Sequence, residues 1–354
     1  MAATRTPTSK DVANLAGVSQ TTVSYVLNGK GNISAKTIRK VERAIAELNY
    51  QPHLGARALK GQKTSVLGLI VQLDESTVAA DALPYIDAIV RTARRNDYDV
   101  VLSTQSGQVE DIQRLAHHGI CDGLILMDIK RKDPRVALAA ELSIPVILMG
   151  RTDGIATVDS VDINTYDAGR LAVEAAAPNH QVVIGVGEGG QRLAEFRFIS
   201  DFYEGMETAA KEYGLDYHPV QLTNTRFESL SRELSPWIAQ AHERMTAFIV
   251  RAPEMVSDLL TVLRTSGLKV GQEVSVIGYC TDMVATQFEP PLANIAPALE
   301  HLANVVVEQL LRRVNKGTLP VSTTLVQPRE LVIRSSLKRD DPTSSSASYE
   351  SDAE

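Results

Sequence analysis

The sequence predicts an α/β protein: a small all-α head, a short hinge, and then two βα lobes in succession, each built on a parallel sheet. Three observations predict it. Residues 8–28, TSKDVANLAGVSQTTVSYVLN, carry two short helical periods broken by a glycine. From residue 64 near-continuous apolar runs alternate with amphipathic stretches, the pattern of a parallel sheet covered by helices on both faces. And 354 residues are too many for one small domain and enough for several cores.

In the head, Thr8 followed three residues later by Asp11 is a capping-box pattern, and Val12, Leu15 and Ala16 predict a helix from Ser9 that buries that stripe. Gly17 stops it, because a left-handed residue after a helix is usually glycine. Ser19 caps a second helix with Val23, Val26 and Leu27 inward and Gln20, Thr21, Ser24, Tyr25 and Asn28 on the other side. Helix, tight turn and helix, with amides and hydroxyls facing out, is the layout that enters the major groove of B-DNA. The competing reading is a helical hairpin with a merely solvated face. Such faces usually carry Lys and Glu, and this one has neither. After the loop GKGNI, Ser34 caps a third helix whose Ile38, Val41, Ile45 and Leu48 close a three-helix core. Residues 49–61, NYQPHLGARALKG, are broken by Pro52 and Gly55 and read as a linker.

Charge supports this division. The chain carries −7 overall, yet residues 1–63 hold ten Lys and Arg against Asp11, Glu42 and Glu47, a local +7 on a body of −14. A basic head on an acidic body is an electrostatic footprint for nucleic acid. No signal peptide or apolar run of spanning length is visible, so a cytoplasmic protein with no membrane association is expected. Cys121 and Cys280 have no metal or redox spacing and read as buried thiols.

The lobes follow in order. SVLGLIVQL, DVVLSTQ, GLILMDI and PVILMGR read as buried strands, with helices near 82–96, 108–118 and 134–142. A second series, VVIGVG, PVQLT, AFIVRA and VSVIGY, alternates with helices near 166–177, 194–213, 228–243 and 254–266. The last fifteen residues, DDPTSSSASYESDAE, hold five acids and no apolar period, and read as a disordered tail.

The segment DVANLAGVSQTTVSYVLN resembles the N-terminal signature of the lactose and galactose repressor family of bacterial transcription regulators. Asp11, Val12, Ala13, Ala16, Gly17, Val18, Ser19, Thr22, Val23, Ser24, Leu27 and Asn28 carry the match. The resemblance implies a helix-turn-helix domain over 1–50, a hinge over 51–63 and a two-lobed periplasmic-binding-protein-like core over 64–339, with the tail over 340–354. Its lobes would comprise 64–163 with 295–324, and 164–294 with 325–339, the chain crossing near Asp162, Asn294 and Thr324. It also implies DNA contacts from Thr8, Ser19, Gln20, Thr21, Thr22, Ser24, Tyr25 and Asn28. Ser34 and Thr37 would meet phosphates at a helix N-terminus. In the hinge, Arg57, Leu59 and Lys60 would contact DNA, with Leu59 as a minor-groove wedge. Tyr25 stands where relatives often carry arginine, so a bidentate guanine contact is lost there.

Candidates for a small-molecule cleft are polar groups on loops past strand ends, where such sheets bind ligands. They are Gln72, Asp74, Asp128, Asp162, Asn164, Arg197, Arg251 and Asp282. Each also reads as an ordinary surface residue. Three positions where relatives grip sugars hold other residues here: Gly150 and Cys280 in place of aspartate, and Phe202 in place of arginine.

Gly185-x-Gly187-x-x-Gly190 has the context of a dinucleotide fingerprint, but the next strand, PVQLT, is followed by Asn224, Thr225 and Arg226 with no acid at its tip. A nucleotide-binding enzyme is therefore the remote alternative, and a glycine-rich strand-end loop is preferred. No Gly-x-Ser-x-Gly elbow or His/Glu metal motif is present, so no enzyme chemistry and no cofactor is expected. His117 and His118 read as a helix end and Trp237 as packing. The expected protein is a homodimeric repressor of a pseudo-palindromic operator in double-stranded DNA. A carbohydrate-like small molecule between the lobes would set its affinity; the alternative is a protein co-regulator bound on the core.

Overall fold

The computed structural model describes residues 7–27, 33–50, 63–72, 79–104, 109–222, 227–317 and 319–339, with no side-chain placement for 79–81. The head is three helices, α1 (Ser9–Ala16), α2 (Gln20–Leu27) and α3 (Ala35–Glu47). Val12, Ala13, Ala16, Val23, Val41 and Ala44 form its core, joined by Tyr50. Two expectations change here. Leu15 is 47% exposed, because the buried arc of α1 centres on Val12, Ala13 and Ala16 and, at 100° per residue, leaves Leu15 on its flank. Tyr50, which the linker run 49–61 claimed although the expected domain boundary of 1–50 kept it in the head, belongs to the head, and its backbone N–H returns to the Ile45 carbonyl at 2.9 Å.

The first lobe contains β1 (Val66–Ile70), α4 (Ala79–Arg95), β2 (Asp99–Ser103), α5 (Val109–His117), β3 (Gly123–Leu126), α6 (Pro134–Glu141), β4 (Val146–Met149) and β5 (Asp159–Ile163). The second contains α7 (Thr165–Ala176), β6 (Val182–Glu188), α8 (Gly190–Glu195), α9 (Arg197–Tyr213), β7 (Asp216–Leu222), α10 (Phe227–Ala241), β8 (Thr246–Val250), α11 (Val256–Thr265), β9 (Val274–Tyr279), α12 (Asp282–Ala285) and β10 (Ala293–Ile295). The chain then returns to the first lobe with α13 (Leu299–Lys316) and β11 (Thr323–Val326), and to the second with β12 (Leu331–Val332).

The first sheet runs β2-β1-β3-β4-β5-β11 and the second β7-β6-β8-β9-β10-β12. All neighbours are parallel except β10 and β12. Each lobe is wound in the same order, and each has a switch point between its first and third strands, where carboxyl ends leave a crevice. Separate apolar clusters cover the two faces of each sheet. Two expected lobe boundaries move slightly: β10 stays in the second sheet through Ile295, and β11 stays in the first through Val326, because each still pairs with a neighbour there.

Two substantial elements are not among those read from the sequence. α13 buries Leu302, Ala303, Val306, Val307, Leu310 and Leu311 at helical spacing against the first lobe. β5, DSVDI, is wholly buried although it carries two aspartates. Asp159 is taken up by the Arg313 guanidinium and by the Ser322 backbone N–H at 2.7 Å. Cys121 and Cys280 are buried in different lobes and form no disulfide, and burial pushes the Cys121 thiol up to about 11. Trp237 packs on the second-lobe core and stacks on His218 at 4.1 Å. Among the described residues no helix is long and apolar enough to cross a membrane.

Candidate DNA-reading head and inter-lobe cleft

The head is locally over-determined. Thr8 caps α1 with both halves of the capping box, its backbone N–H reaching Asp11 Oδ2 at 2.8 Å. Gly17 takes φ 64°, and the Val18 N–H closes on the Ala13 carbonyl at 3.0 Å. Ser19 Oγ accepts from the Thr22 N–H at 3.1 Å and Ser34 Oγ from the Thr37 N–H at 3.2 Å, so both serines cap their helices. Gln20 Nε2 donates to Ser9 Oγ at 2.7 Å and links α2 to the start of α1. Val23 is fully buried while Gln20, Thr21 and Tyr25 are exposed and Thr22 and Ser24 half-buried. α2 therefore presents amide, hydroxyl and phenol groups from a backbone fixed on its other side. Asn28, Arg57, Leu59 and Lys60 lie outside the described residues, as does most of the hinge.

In the core, the carboxyl ends of the two sheets face each other. Glu188 ends β6 and Arg251 follows β8, so the pair occupies the switch point of the second lobe. Arg251 grips Glu188 through Nε at 2.7 Å and through a second bond from Nη2, with the two side chains only 9% and 7% exposed. Burial alone would raise the Glu188 carboxyl, but Arg251 holds it below the usual carboxylate range. The Phe198 ring lies 5.4 Å from the same guanidinium. Across the cleft, Arg151, just past β4, donates through Nε to Asp162 at 3.2 Å and through Nη2 to Asp201 of α9 at 2.5 Å. Burial raises the Asp162 carboxyl to about 6, and Arg151 offsets only part of that. Tyr279, at the end of β9, is buried beside Tyr85 of α4, and burial with that neighbour raises its hydroxyl well above the ordinary value.

Arg197 stands 3.4 Å from Asp153 and 3.5 Å from Asp201. Of the sequence candidates, Asp162 and Arg197 are thus joined through Arg151 and Asp201, and Arg251 sits beside Phe198, the residue after Arg197 on α9. Gln72 and Asp128 follow β1 and β3 at the switch point of the first lobe. Asp128 has φ 54°, and its carbonyl accepts from Arg135 at 2.7 Å. Asn164 is committed elsewhere: its Oδ1 caps α7 at the Asp167 N–H, 3.2 Å, and its Nδ2 meets Gln327 at 3.3 Å. Asp282 ties the third crossing, pairing with Arg329 at 2.7 Å and Arg334 at 3.0 Å. Asp74 lies outside the described residues.

Arg151, Asp201, Glu188, Tyr85 and Tyr279 were missed. Arg151, Glu188 and Tyr279 were findable, since each sits at the end of a predicted strand. Asp201 and Tyr85 were not, because a single Asp or Tyr in a helix has no distinguishing period. Of the glycines in the Gly185-x-Gly187-x-x-Gly190 motif, the first two make room for protein, whereas Gly190 takes φ 59° beside open space. A Cβ on Gly187 would lie 2.4 Å from the Tyr203 hydroxyl, and one on Gly185 2.8 Å from Met206 Cε. Asn224, Thr225 and Arg226 lie outside the described residues.

With this geometry in view, residues 8–53 match the signature of the bacterial regulatory proteins, lacI family, and residues 179–337 that of a periplasmic binding protein-like domain. The HTH-type transcriptional repressor PurR of Pasteurella multocida is 30% identical over 338 residues, 94% of this chain and 98% of that protein. The chain belongs to the lacI family. The ribose operon repressor of Haemophilus influenzae is 28% identical over 93% of this chain and 98% of its own length. A crystal structure of the Lac repressor dimer bound to operator and the anti-inducer ONPF superposes with a TM-score of 0.77 at 26% identity, covering 95% of this chain and 100% of that one. The chain is accordingly a DNA-binding transcription regulator with a helix-turn-helix head and a two-lobed core. At positions 150 and 202, two of the three where relatives often carry a charge, packing takes the place of a charged side chain. Gly150 has φ 124° with Ile129 Cβ 3.0 Å from where a side chain would start, and Phe202 is fully buried. The charged groups are their neighbours, Arg151 and Asp201.

Proposed function

We propose that this chain is a cytoplasmic, homodimeric repressor of a pseudo-palindromic operator in double-stranded DNA, with a cleft that senses a small carbohydrate-like molecule. The observation that carries the reading is the face of α2: Gln20, Thr21 and Tyr25 exposed on a helix whose Val23 is fully buried. In this reading those three side chains select bases, and Ser34 and Thr37, at the N-terminus of α3, position the head on phosphates. Thr8, Ser19 and Thr22 hold the two helix starts at the backbone, Ser24 and Asn28 complete the reading face, and Leu59 between Arg57 and Lys60 wedges the minor groove. A dimer supports this, since two heads one helical turn apart double the sequence read. The Lac repressor, similar in structure, was solved as a dimer bound to operator and an anti-inducer. The polyhydroxy character of the effector is supported by the cleft, where Arg151 supplies donors within reach of the acceptors Asp162 and Asp201.

Selection of bound sites from random duplex, followed by affinity measured at increasing salt, tests the DNA arm. The expected result is an inverted repeat bound with a steep negative salt slope, because the basic head releases counterions. A flat slope would remove the head as the binding element. Calorimetry with sugars and polyols tests the cleft; heat from none of them, with a protein captured on the immobilised core instead, would replace the small molecule by a co-regulator.

A further inference from the structure

We propose that the two lobes of this chain are latched shut by their own side chains, with Arg151 of the first lobe and Asp201 of the second as the central pair, so that closure needs no bound molecule. The proposal rests on the two-lobed sensing core above and concerns how its cleft is controlled. The bonds form one alternating chain of bases and acids that changes lobe repeatedly. Asp162 and Asp201 share Arg151 at 3.2 and 2.5 Å. Asp201 also faces Arg197 at 3.5 Å, and Arg197 reaches back to Asp153 of the first lobe at 3.4 Å. Asp153 holds Arg131 at 3.1 Å, and Arg131 bonds Ser200 of the second lobe. At the rim the backbone N–H of Arg131 donates to the Glu195 carbonyl at 2.7 Å, and Lys130 pairs with the Glu195 carboxylate at 2.8 Å.

Three features separate this from incidental surface pairing. The central side chains are buried, Arg151 16%, Asp162 11% and Asp201 12% exposed, where ion pairs are screened far less than at a surface. The shorter of the two Arg151 bonds is the one that crosses the cleft, so the guanidinium is not held back by its own lobe. And the central charges are already paired: Arg151 is shared by Asp162 and Asp201 before any ligand enters, and Arg197 Nε, 3.5 Å from Asp201, is the latch donor left without a hydrogen bond. An occupant must therefore compete with the latch. It has to offer Arg151 an acceptor and Asp201 a donor before it gains anything, and the ligand-free protein is the closed one.

The test uses the full chain without ligand, read by amide hydrogen exchange of peptides covering 127–135 and 195–203 and by the radius of gyration from X-ray scattering. The parent is expected to be compact and protected in both peptides. Asp201→Asn should raise exchange there about tenfold, the response to losing one buried charge-assisted bond, while Arg170→Gln, which removes the exposed Arg170–Glu212 pair, should leave it unchanged. If Asp201→Asn does not fold by circular dichroism, Glu195→Gln with Ser200→Ala at the rim carries the same comparison. A ligand-free parent that is extended and unprotected, or a folded latch variant that exchanges like the parent, overturns the proposal. Operator binding by the same samples is read separately: a parent that binds no specific site sinks the regulator reading whatever the exchange result.

Discussion

The backbone N–H of Asn164 donates to the carbonyl of Val326 at 2.8 Å, so two of the three crossings between the lobes are hydrogen-bonded to each other. The Asn164 side chain then caps α7, the first element of the second lobe. Asn164→Ala removes the cap but not the backbone bond. It is expected to lower unfolding free energy by about 1 kcal/mol, measured by urea titration. A loss below a few tenths would show that the crossing holds α7 unaided.

The Glu188–Arg251 pair makes a larger demand. Its charges are out of water and are compensated chiefly by each other, so Glu188→Gln leaves the Arg251 cation in a dry site with only the weaker field of Glu254 to offset it. The expected cost is about 3–5 kcal/mol. Replacing both, Glu188→Leu with Arg251→Met, should recover much of it, because two apolar groups ask for no partner. Thermal melts of the three proteins decide; a double variant as unstable as the single one would mean that packing, and not charge, is what the site requires.

Stability should also depend on pH through Asp162. Its carboxyl is raised by burial from 3.8 to about 6, so the folded protein binds a proton that the unfolded chain releases. Its contribution is fully present below the unfolded value and is lost as pH rises through about 6. Asp159 runs the other way. Burial alone would raise it, but Arg313 and the Ser322 N–H hold it below the ordinary range, so its contribution is lost only in stronger acid. Between pH 7.5 and 5 the stability of the parent minus that of Asp162→Asn should therefore grow by about 1 kcal/mol as pH falls. A constant difference across that window would place Asp162 at an ordinary carboxylate value.

Gly205 sets how closely α7 and α9 approach. A Cβ there would lie 2.0 Å from the Tyr166 carbonyl oxygen, and one on Gly169 2.1 Å from that of Phe202. Both obstacles are backbone, so neither helix can yield locally. Gly205→Ala should destabilise by at least about 1–3 kcal/mol and, by moving α9, should weaken protection around Asp201. Denaturant midpoint and exchange of 195–203 measured together test this; a midpoint unchanged from the parent counts against a backbone-limited contact.

What was legible in the sequence follows from where the signal lies. The head could be read almost to the residue because its caps are local: Thr8 with Asp11, Gly17, Ser19 and Ser34 each act within three or four positions. The central strands of both sheets could be read because full burial writes continuous apolar runs, whereas the edge strands β2 and β7, also expected to be buried, are only partly buried because each has a neighbour on one side only. β5 could not, since Asp159 is acceptable there only through Arg313, 154 residues away. The cleft was half legible for the same reason. Strand-end logic reaches Asp162 and Arg251, but that Asn164 caps a helix, or that Asp201 belongs to Arg151, is a fact of the folded chain.

The reading face gives the last expectation. Tyr25 is 46% exposed on α2, next to Ser24 and one turn from Thr21 and Thr22. A phenol offers a single hydroxyl and an apolar ring where a guanidinium would offer a paired fork, so it favours a base edge presenting one acceptor or a thymine methyl over guanine. Tyr25→Ala removes that contact and leaves the caps at Ser19 and Ser34 intact. Preference at one base pair of each half-site should relax by about 1–3 kcal/mol, with no change in the salt slope, because no phosphate contact is lost. Tyr25→Arg should instead draw guanine to that position. Site selection with the three proteins gives the answer, and an identical base preference from all of them would place Tyr25 off the groove and turn the reading helix about its axis.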